Sequence, residues 1–287
     1  MIRTTVSCAA IVLLAFAAPV RGQVVAYEGF NYPAGQSLNG QNGGSGFVGG
    51  WSLLSGTATI LPGSLVPASP SGSLPETGNS LALTPASDVQ LGDVTRALSS
   101  PIVGTPGTTD WVSVVMKGTG SSGQSAQGSV IFSNGSGLGF SITTGATGGG
   151  APPFNPPANA NWSVADSGSG ASEASSTVPN TLQSLLVARV TFGAAGDVVD
   201  LFVNPALGGN PPATPDASVT VPHTPTLSRI ELAYADINGA AASALIDEIR
   251  AGHTFADVTG ATVPEPSTLA LLGMAGLGLG LRRRKAR

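Results

Sequence analysis

Hydrophobic and polar residues alternate in short runs along this chain, and clusters of Gly, Pro, Asn and Ser separate the runs. That is the period of a β-strand with one buried face, bounded by turn formers. The runs predict strands within Val24–Phe30, Trp51–Leu61, Leu81–Leu83, Val89–Leu98, Trp111–Met116, Val130–Phe132, Leu138–Ile142, Ser184–Phe192, Val198–Val203, Leu227–Tyr234 and Ala244–Arg250. Residues 133–137 (SNGSG) carry Asn-Gly turn chemistry between two runs and predict a hairpin; residues 193–197 predict a second. Residues 39–46, 145–161 and 204–215 are rich in Gly, Asn or Pro and predict surface loops, since proline cannot donate to a central ladder. Strand follows strand with no long amphipathic helix between. The fold class predicted is therefore all-β, a two-sheet antiparallel sandwich or jelly roll over residues 23–262.

The two ends break this pattern. Residues 1–22 begin with Arg3, continue through an apolar run from Ala9 to Ala18, and end at Pro19 and the small Gly22. This is the plan of a secretory signal peptide, handled by the Sec translocon and signal peptidase, with the cut expected between Gly22 and Gln23. At the other end, Ser267–Leu281 is 15 residues without a charge. As a helix it would cover roughly 22 Å, short of the ~30 Å hydrocarbon core, so it predicts a marginal transmembrane helix. Arg282, Arg283, Arg284 and Lys285 follow it and belong on the cytoplasmic side. Both ends thus place the middle of the chain outside the cytoplasm.

Charge agrees with that topology. The net charge of −4 hides five cations against fifteen acids between Gln23 and Pro264, a net −10. Such a body repels phosphate backbones, which excludes nucleic acid as a partner and suits a soluble extracellular protein. Cys8 is the only cysteine and lies in the leader, so the mature chain would have neither disulfide nor thiolate nucleophile.

Val263-Pro264-Glu265-Pro266-Ser267, the short apolar helix and the arginine cluster, in that order, resemble a PEP-CTERM sorting signal. The resemblance covers residues 263–287. It implies recognition by an exosortase, cleavage near Pro264-Glu265-Pro266, transient anchoring in the inner membrane, and a mature protein at the cell surface or in an exopolysaccharide matrix. The two prolines hold Glu265 in extended, accessible backbone. A weaker resemblance lies in the body. Tyr27–Tyr32, Val187–Phe192, Asp200–Pro205, Ile246–Arg250 and Phe255–Val258 are similar to segments of laminin-G-like, concanavalin-type jelly rolls. It implies neighbouring first and last strands, and a fold whose members bind carbohydrate or protein or, in some cases, hydrolyse glycosides.

Catalytic candidates are few. A retaining glycosidase needs two carboxylates about 5 Å apart on one face. Asp247 and Glu248 are adjacent and predict opposite faces of a strand; Asp197 and Asp200 are three apart and also diverge. The expectation is no catalytic residue, with these acids paired to Arg250 or Arg189. His223 and His253 each predict loop positions without partners. Asp197, Asp200, Asp236 and Asn238 are the oxygen donors a calcium ion could use, with no converging spacing. Trp162, beside a polar loop, is the residue suited to stack on a sugar, while Trp111 predicts core. The reading that emerges is an exported, non-catalytic surface or matrix protein without a cofactor. A carbohydrate-binding module is the alternative, with extracellular polysaccharide as its partner, and a glycoside hydrolase stands behind it.

Overall fold

The computed structural model describes residues 24–67, 74, 78–84, 91–118, 126–144, 161–168, 172–207, 210–222, 226–236 and 244–260. The predicted signal, Gly22, Gln23, the predicted membrane helix and the basic cluster lie outside them. Among the described residues, fifteen strands and one short helix follow in order: β1 (Val24–Glu28), β2 (Phe47–Ser55), β3 (Thr57–Leu61), β4 (Ser80–Thr84), β5 (Leu91–Val103), β6 (Thr109–Gly118), β7 (Ala126–Ser133), β8 (Gly139–Thr144), β9 (Asn161–Asp166), β10 (Glu173–Pro179), β11 (Ser184–Thr191), β12 (Asp197–Val203), β13 (Ala217–Val221), β14 (Thr226–Asp236), β15 (Ala244–Gly252) and α1 (Phe255–Thr259).

The strands form two antiparallel sheets. Sheet A runs β13-β12-β11-β6-β15-β4-β3, with β1 also paired to β15; sheet B runs β10-β9-β8-β7-β14-β5-β2. One edge of β15 is shared by two strands. β4 takes Ala244–Ile246, and β1 takes Ile249–Gly252. First and last strands are therefore neighbours, as the jelly-roll resemblance implies. Both predicted hairpins are present, as β7/β8 and β11/β12.

Alternation builds the core. Val112, Val114 and Met116 of β6 face inward with Leu186, Ala188 and Val190 of β11, and meet Val130, Phe132, Ile230, Leu232 and Tyr234 of sheet B. A second apolar cluster lies on the outer face of sheet A. There Trp111, Val115, Leu185, Val187 and Phe202 are covered by Leu65, Leu74, Phe255 and Val258. Trp111 is buried as expected, but in this outer cluster rather than between the sheets.

Two of the sheet edges are covered by the loop between β1 and β2. Backbone bonds from Gly35 N–H to Ile60 O and from Leu38 N–H to Ala58 O cover β3, and bonds between residues 40–41 and Trp51 cover part of β2. Covered edges cannot template pairing with another chain. Pro101, inside β5, sits where the ladder shifts: Ala97 pairs with Arg229 but Ile102 with Leu227, so no ladder bond is demanded of it.

One charged pair crosses between the layers. Glu28, at the end of β1, is 1 % exposed, and Arg96 of β5 is 4 % exposed. Arg96 Nη1 donates to Glu28 Oε2 at 3.0 Å and to Gly43 O at 2.8 Å, while Arg96 Nε donates to Gly49 O at 2.9 Å. Glu28 also accepts from Tyr32 Oη (2.7 Å), Trp51 Nε1 (3.0 Å) and the Phe30 N–H (3.0 Å). The guanidinium carbon lies 4.5 Å from the Phe47 ring centre and 5.8 Å from that of Trp51. The returning loop fits closely here. Gly46 has φ +79°, and a Cβ on it would lie 1.9 Å from Val25 O, so no larger residue is accommodated. Burial and the negative charge of Glu28 raise the Tyr32 hydroxyl far above its ordinary range, which keeps it a donor at every physiological pH.

Removing one member of such a pair strands the other charge in the core. Arg96→Met is expected to cost about 3–5 kcal/mol of unfolding free energy. Adding Glu28→Gln to it should recover part of that loss. Chemical denaturation of residues 23–262 measures both; equal stability of wild type and Arg96→Met would contradict the role given to the pair.

Candidate functional site

Three groups of ionisable side chains occupy the outer faces of the sandwich, and each is held by strand geometry. The first is on β15. Asp247 pairs with Val115 of β6 but Arg250 with Ser113, so β15 carries one extra residue, and Glu248 takes φ +52°. A bulge of this kind re-aims a side chain. The Glu248 carboxylate bonds the Arg250 guanidinium and accepts from Tyr27 Oη at 3.1 Å. Tyr27 is paired with Arg250 across the β1/β15 ladder, and the guanidinium stands 5.1 Å from its ring centre. Asp247 accepts from the Ser64 hydroxyl, the Leu65 N–H (2.8 Å) and the Glu248 N–H (2.8 Å). The prediction that Asp247 and Glu248 face opposite sides is thus corrected: the bulge brings Glu248 round to the face of Arg250 and Tyr27. The pairing of Glu248 with Arg250 is as expected. Both acids are buried. Burial pushes Asp247 up to about 7, against the three donors that lower it.

The second group lies on β6, β11, β12 and β13. Arg189 donates to Asp200 through Nη2 (2.7 Å) and Nε (3.1 Å), and Ser218 Oγ donates to the other oxygen of Asp200 at 2.7 Å. The guanidinium also lies over Trp111 and Phe202, 5.8 and 5.5 Å from their centres. Asp200 is therefore engaged by a cation. Asp197 is three residues earlier, 0 % exposed, and accepts the Gly193 N–H at 3.0 Å. Strand alternation turns the two apart, so these calcium candidates do not converge. Asp236 ends β14, Asn238 lies outside the described residues, and no three His, Cys, Asp or Glu among the described residues gather as a metal site.

His253, expected alone, has a partner: its Nδ1 is 2.6 Å from Asp110 Oδ1. The two are 143 residues apart in sequence and meet because Gly252 pairs with Trp111. His223 lies outside the described residues. Trp162 is corrected as well. It is 0 % exposed and belongs to the inter-sheet core, because the alternation of β9 sends Trp162 and Val164 inward. It offers no face to a sugar in this fold.

The third group was not anticipated. Asp93 of β5 and Glu231 of β14 lie on the outer face of sheet B, since Val94, Arg96, Ile230 and Leu232 point inward. Their carboxyls share a hydrogen bond, with Arg229 beside them. Burial, then the charge of Glu231, pushes Asp93 up to about 7; burial also raises Glu231, opposed by Arg229 and by the bond from Asp93. Below about pH 7 Asp93 therefore keeps a proton that it can donate to Glu231. Ser129, Ser133, Ser141, Thr143 and Ser163 continue the same face across β7, β8 and β9, all of them buried. Strand alternation in Arg229-Ile230-Glu231 is the signal that could have put the two charged residues on one face; nothing in the sequence places Asp93 beside them.

Comparisons with known proteins follow the same division between tail and body. Residues 262–285 match the PEP-CTERM protein-sorting motif. The chain carries that motif at its C-terminal end, and such a motif implies an exported protein sorted by exosortase. No curated protein matches the chain. Solved structures similar to it include the T. cruzi calreticulin globular domain, at 12 % identity and TM-score 0.46, covering 91 % of this chain and 100 % of that one. An endo-1,3-beta-glucanase from Streptomyces sioyaensis matches at 11 % identity and TM-score 0.45, covering 82 % and 98 %. The Emp47p carbohydrate recognition domain matches at 11 % identity and TM-score 0.40, covering 77 % and 95 %. The sandwich architecture rests on the strand pairing described above, and no ligand or activity follows from these likenesses. No helix among the described residues is long and apolar enough to cross a membrane, and the apolar tail segment lies outside them.

The raised carboxyls make stability depend on pH. An unfolded Asp titrates near 3.9, so between about pH 4 and 7 the folded body holds protons that the unfolded chain has released. Stability contributed by Asp93 and Asp247 is present below pH 4 and is lost as pH rises to about 7. Asp93→Asn is expected to flatten part of this decline and to raise the melting temperature at pH 7.5. Thermal melts of residues 23–262 between pH 4.5 and 8 test it; an unchanged pH slope would contradict the raised Asp93 carboxyl.

Proposed function

We propose that this chain is the precursor of a non-catalytic surface or matrix protein. Its β-sandwich is exported, then separated from its tail at Pro264-Glu265-Pro266 and left outside the cell. The observation that carries this reading is the sorting motif over residues 262–285, directly behind the last folded element of the body. Three features support it. The body has a net charge of −10 between Gln23 and Pro264, which suits a soluble extracellular role. Glu248 and Asp200 are neutralised by Arg250 and Arg189, an arrangement of structural ion pairs. The leader supplies the positive, apolar and small-residue regions in the order export requires. In this reading exosortase is the enzyme and the chain its substrate, and the extracellular polysaccharide is its surroundings.

A carbohydrate-binding body is the second reading. One observation favours it: Asp93, Glu231 and Arg229 form a polar group on the outer face of sheet B, where carboxyl and guanidinium could meet sugar hydroxyls. A glycan array on residues 23–262, with and without calcium, separates the two readings; binding abolished by Asp93→Asn would favour the second.

Deleting Pro264–Arg287 is expected to move the protein from the cell surface to the soluble exported fraction. Cell fractionation and surface labelling of the native host measure this, and undiminished surface display of the truncated chain would contradict the proposal. Release of reducing sugar by the body from any of a panel of exopolysaccharides would contradict its non-catalytic half.

A further inference from the structure

The hairpin between β7 and β8 turns through Asn134-Gly135-Ser136-Gly137-Leu138. Asn134 closes it, since its N–H donates to Leu138 O at 3.0 Å. Its side chain bends over the same turn, where Oδ1 accepts the Ser136 N–H (2.8 Å) and the Leu138 N–H (3.2 Å). Residues 135–138 are exposed. Gly135 has φ +82°, a conformation that favours glycine.

This geometry bears on the chemistry of the Asn134 carboxamide. Two N–H groups are aimed at its oxygen, the atom where negative charge collects when a nucleophile adds to Cγ, and donors so placed stabilise such an adduct. The adjacent nucleophile is the Gly135 nitrogen. Among the described residues its N–H meets only the Ser133 hydroxyl, at 3.4 Å, longer than the ~3.2 Å limit of an ordinary N–H···O bond. No ladder bond has to break to free it. Arg229 brings a cation to the same peptide: a Cβ on Gly135 would lie 3.7 Å from Nη2 and 3.8 Å from Cζ. Positive charge there favours loss of the amide proton.

The other Asn-Gly pairs are held differently. Gly40 N–H is committed to Trp51 O at 2.8 Å, and Asn39 Oδ1 to the Leu53 N–H at 3.1 Å. Gly43 is wedged against Tyr32, where a Cβ would meet the ring at 2.8 Å, and its carbonyl holds Arg96 Nη1 at 2.8 Å. Asn238-Gly239 lies outside the described residues.

We propose that Asn134 is a site of spontaneous deamidation in the folded protein. The Gly135 nitrogen loses its proton to water and attacks Asn134 Cγ, forming a new N–C bond. The Cγ–Nδ2 bond breaks, and the leaving nitrogen takes up a proton and departs as ammonia. Water then opens the cyclic imide at one of its two carbonyls, leaving a carboxylate at residue 134 in ordinary or iso-linked backbone. One water is consumed and one ammonia released, with no enzyme, cofactor or oxidant. The reaction does not depend on the sorting function proposed above. It places a new negative charge next to the residue that Arg229 packs against, at the border of the Asp93, Glu231 and Arg229 group.

The test uses the protein recovered from its native host, aged in mildly alkaline buffer, folded in one arm and unfolded in urea in the other. Peptide mass mapping with fragmentation assigns each converted residue. In the folded arm Asn134 is expected to gain about 1 Da, with ammonia released in step. It should convert at least about tenfold faster than Asn39 or Asn42, whose backbones must first open locally. In urea the three pairs are equally exposed and are expected to convert at similar rates. Asn134→Gln should remove the early release of ammonia from the folded protein. Asn134 left intact in the folded arm, or converted no faster than Asn39 and Asn42, overturns the proposal, and so does ammonia released by Asn134→Gln at the wild-type rate.

Discussion

The buried contact between Glu28 and Arg96 ties the first strand of sheet A to an inner strand of sheet B, and much of the architecture is arranged around it. An unpaired charge between two apolar sheets would cost several kcal/mol, so the pair is tolerated only with its hydrogen bonds complete. Those bonds come from Tyr32, Trp51 and backbone groups of the loop between β1 and β2. The loop is consequently drawn along the β3 and β2 edges, Gly46 is pressed against Val25, and the Phe47 and Trp51 rings pack on the guanidinium. Register follows from the same contact. Slipping β1 by one residue would turn Glu28 to solvent and send Tyr27, the partner of Glu248, into the core.

The opposite edge of β1 has a different task. It lies beside the C-terminal half of β15, where the bulge at Glu248 lets one strand serve β4 first and β1 afterwards. The bulge gathers Glu248, Arg250 and Tyr27 on the outer face, and Asp247 holds down Ser64 and Leu65 at one side of the outer cluster. The helix α1 covers the other side. The outer cluster of sheet A is therefore covered and apolar, whereas the buried row of serines and threonines makes the outer face of sheet B polar.

Strand positions were legible wherever alternation was strong, as at Trp111–Met116, Ser184–Phe192 and Leu227–Tyr234. The strands β9, β10 and β13 were not, because their small residues Ser, Ala and Thr carry little hydrophobic contrast. Trp162 was misjudged for that reason: with β9 unseen, its neighbour loop suggested a surface ring, while alternation inside the strand buries it. Adjacent Asp247 and Glu248 were assigned to opposite faces by a regular period of two, which a single inserted residue overrides. The pairs Glu28–Arg96, Asp110–His253 and Asp93–Glu231 join residues 68, 143 and 138 apart, and no local pattern announces such contacts. The sorting tail was the most legible part, since its three pieces are contiguous and their order carries the physical meaning.

The central claim is that the middle of this chain is delivered across a membrane and parted from both ends. Intact-mass analysis of the protein recovered from its native host measures that directly. The account predicts a chain that begins at Gln23 and ends at or near Pro264-Glu265-Pro266, found outside the cytoplasm. An uncut chain of 287 residues dissolved in the cytosol would contradict it.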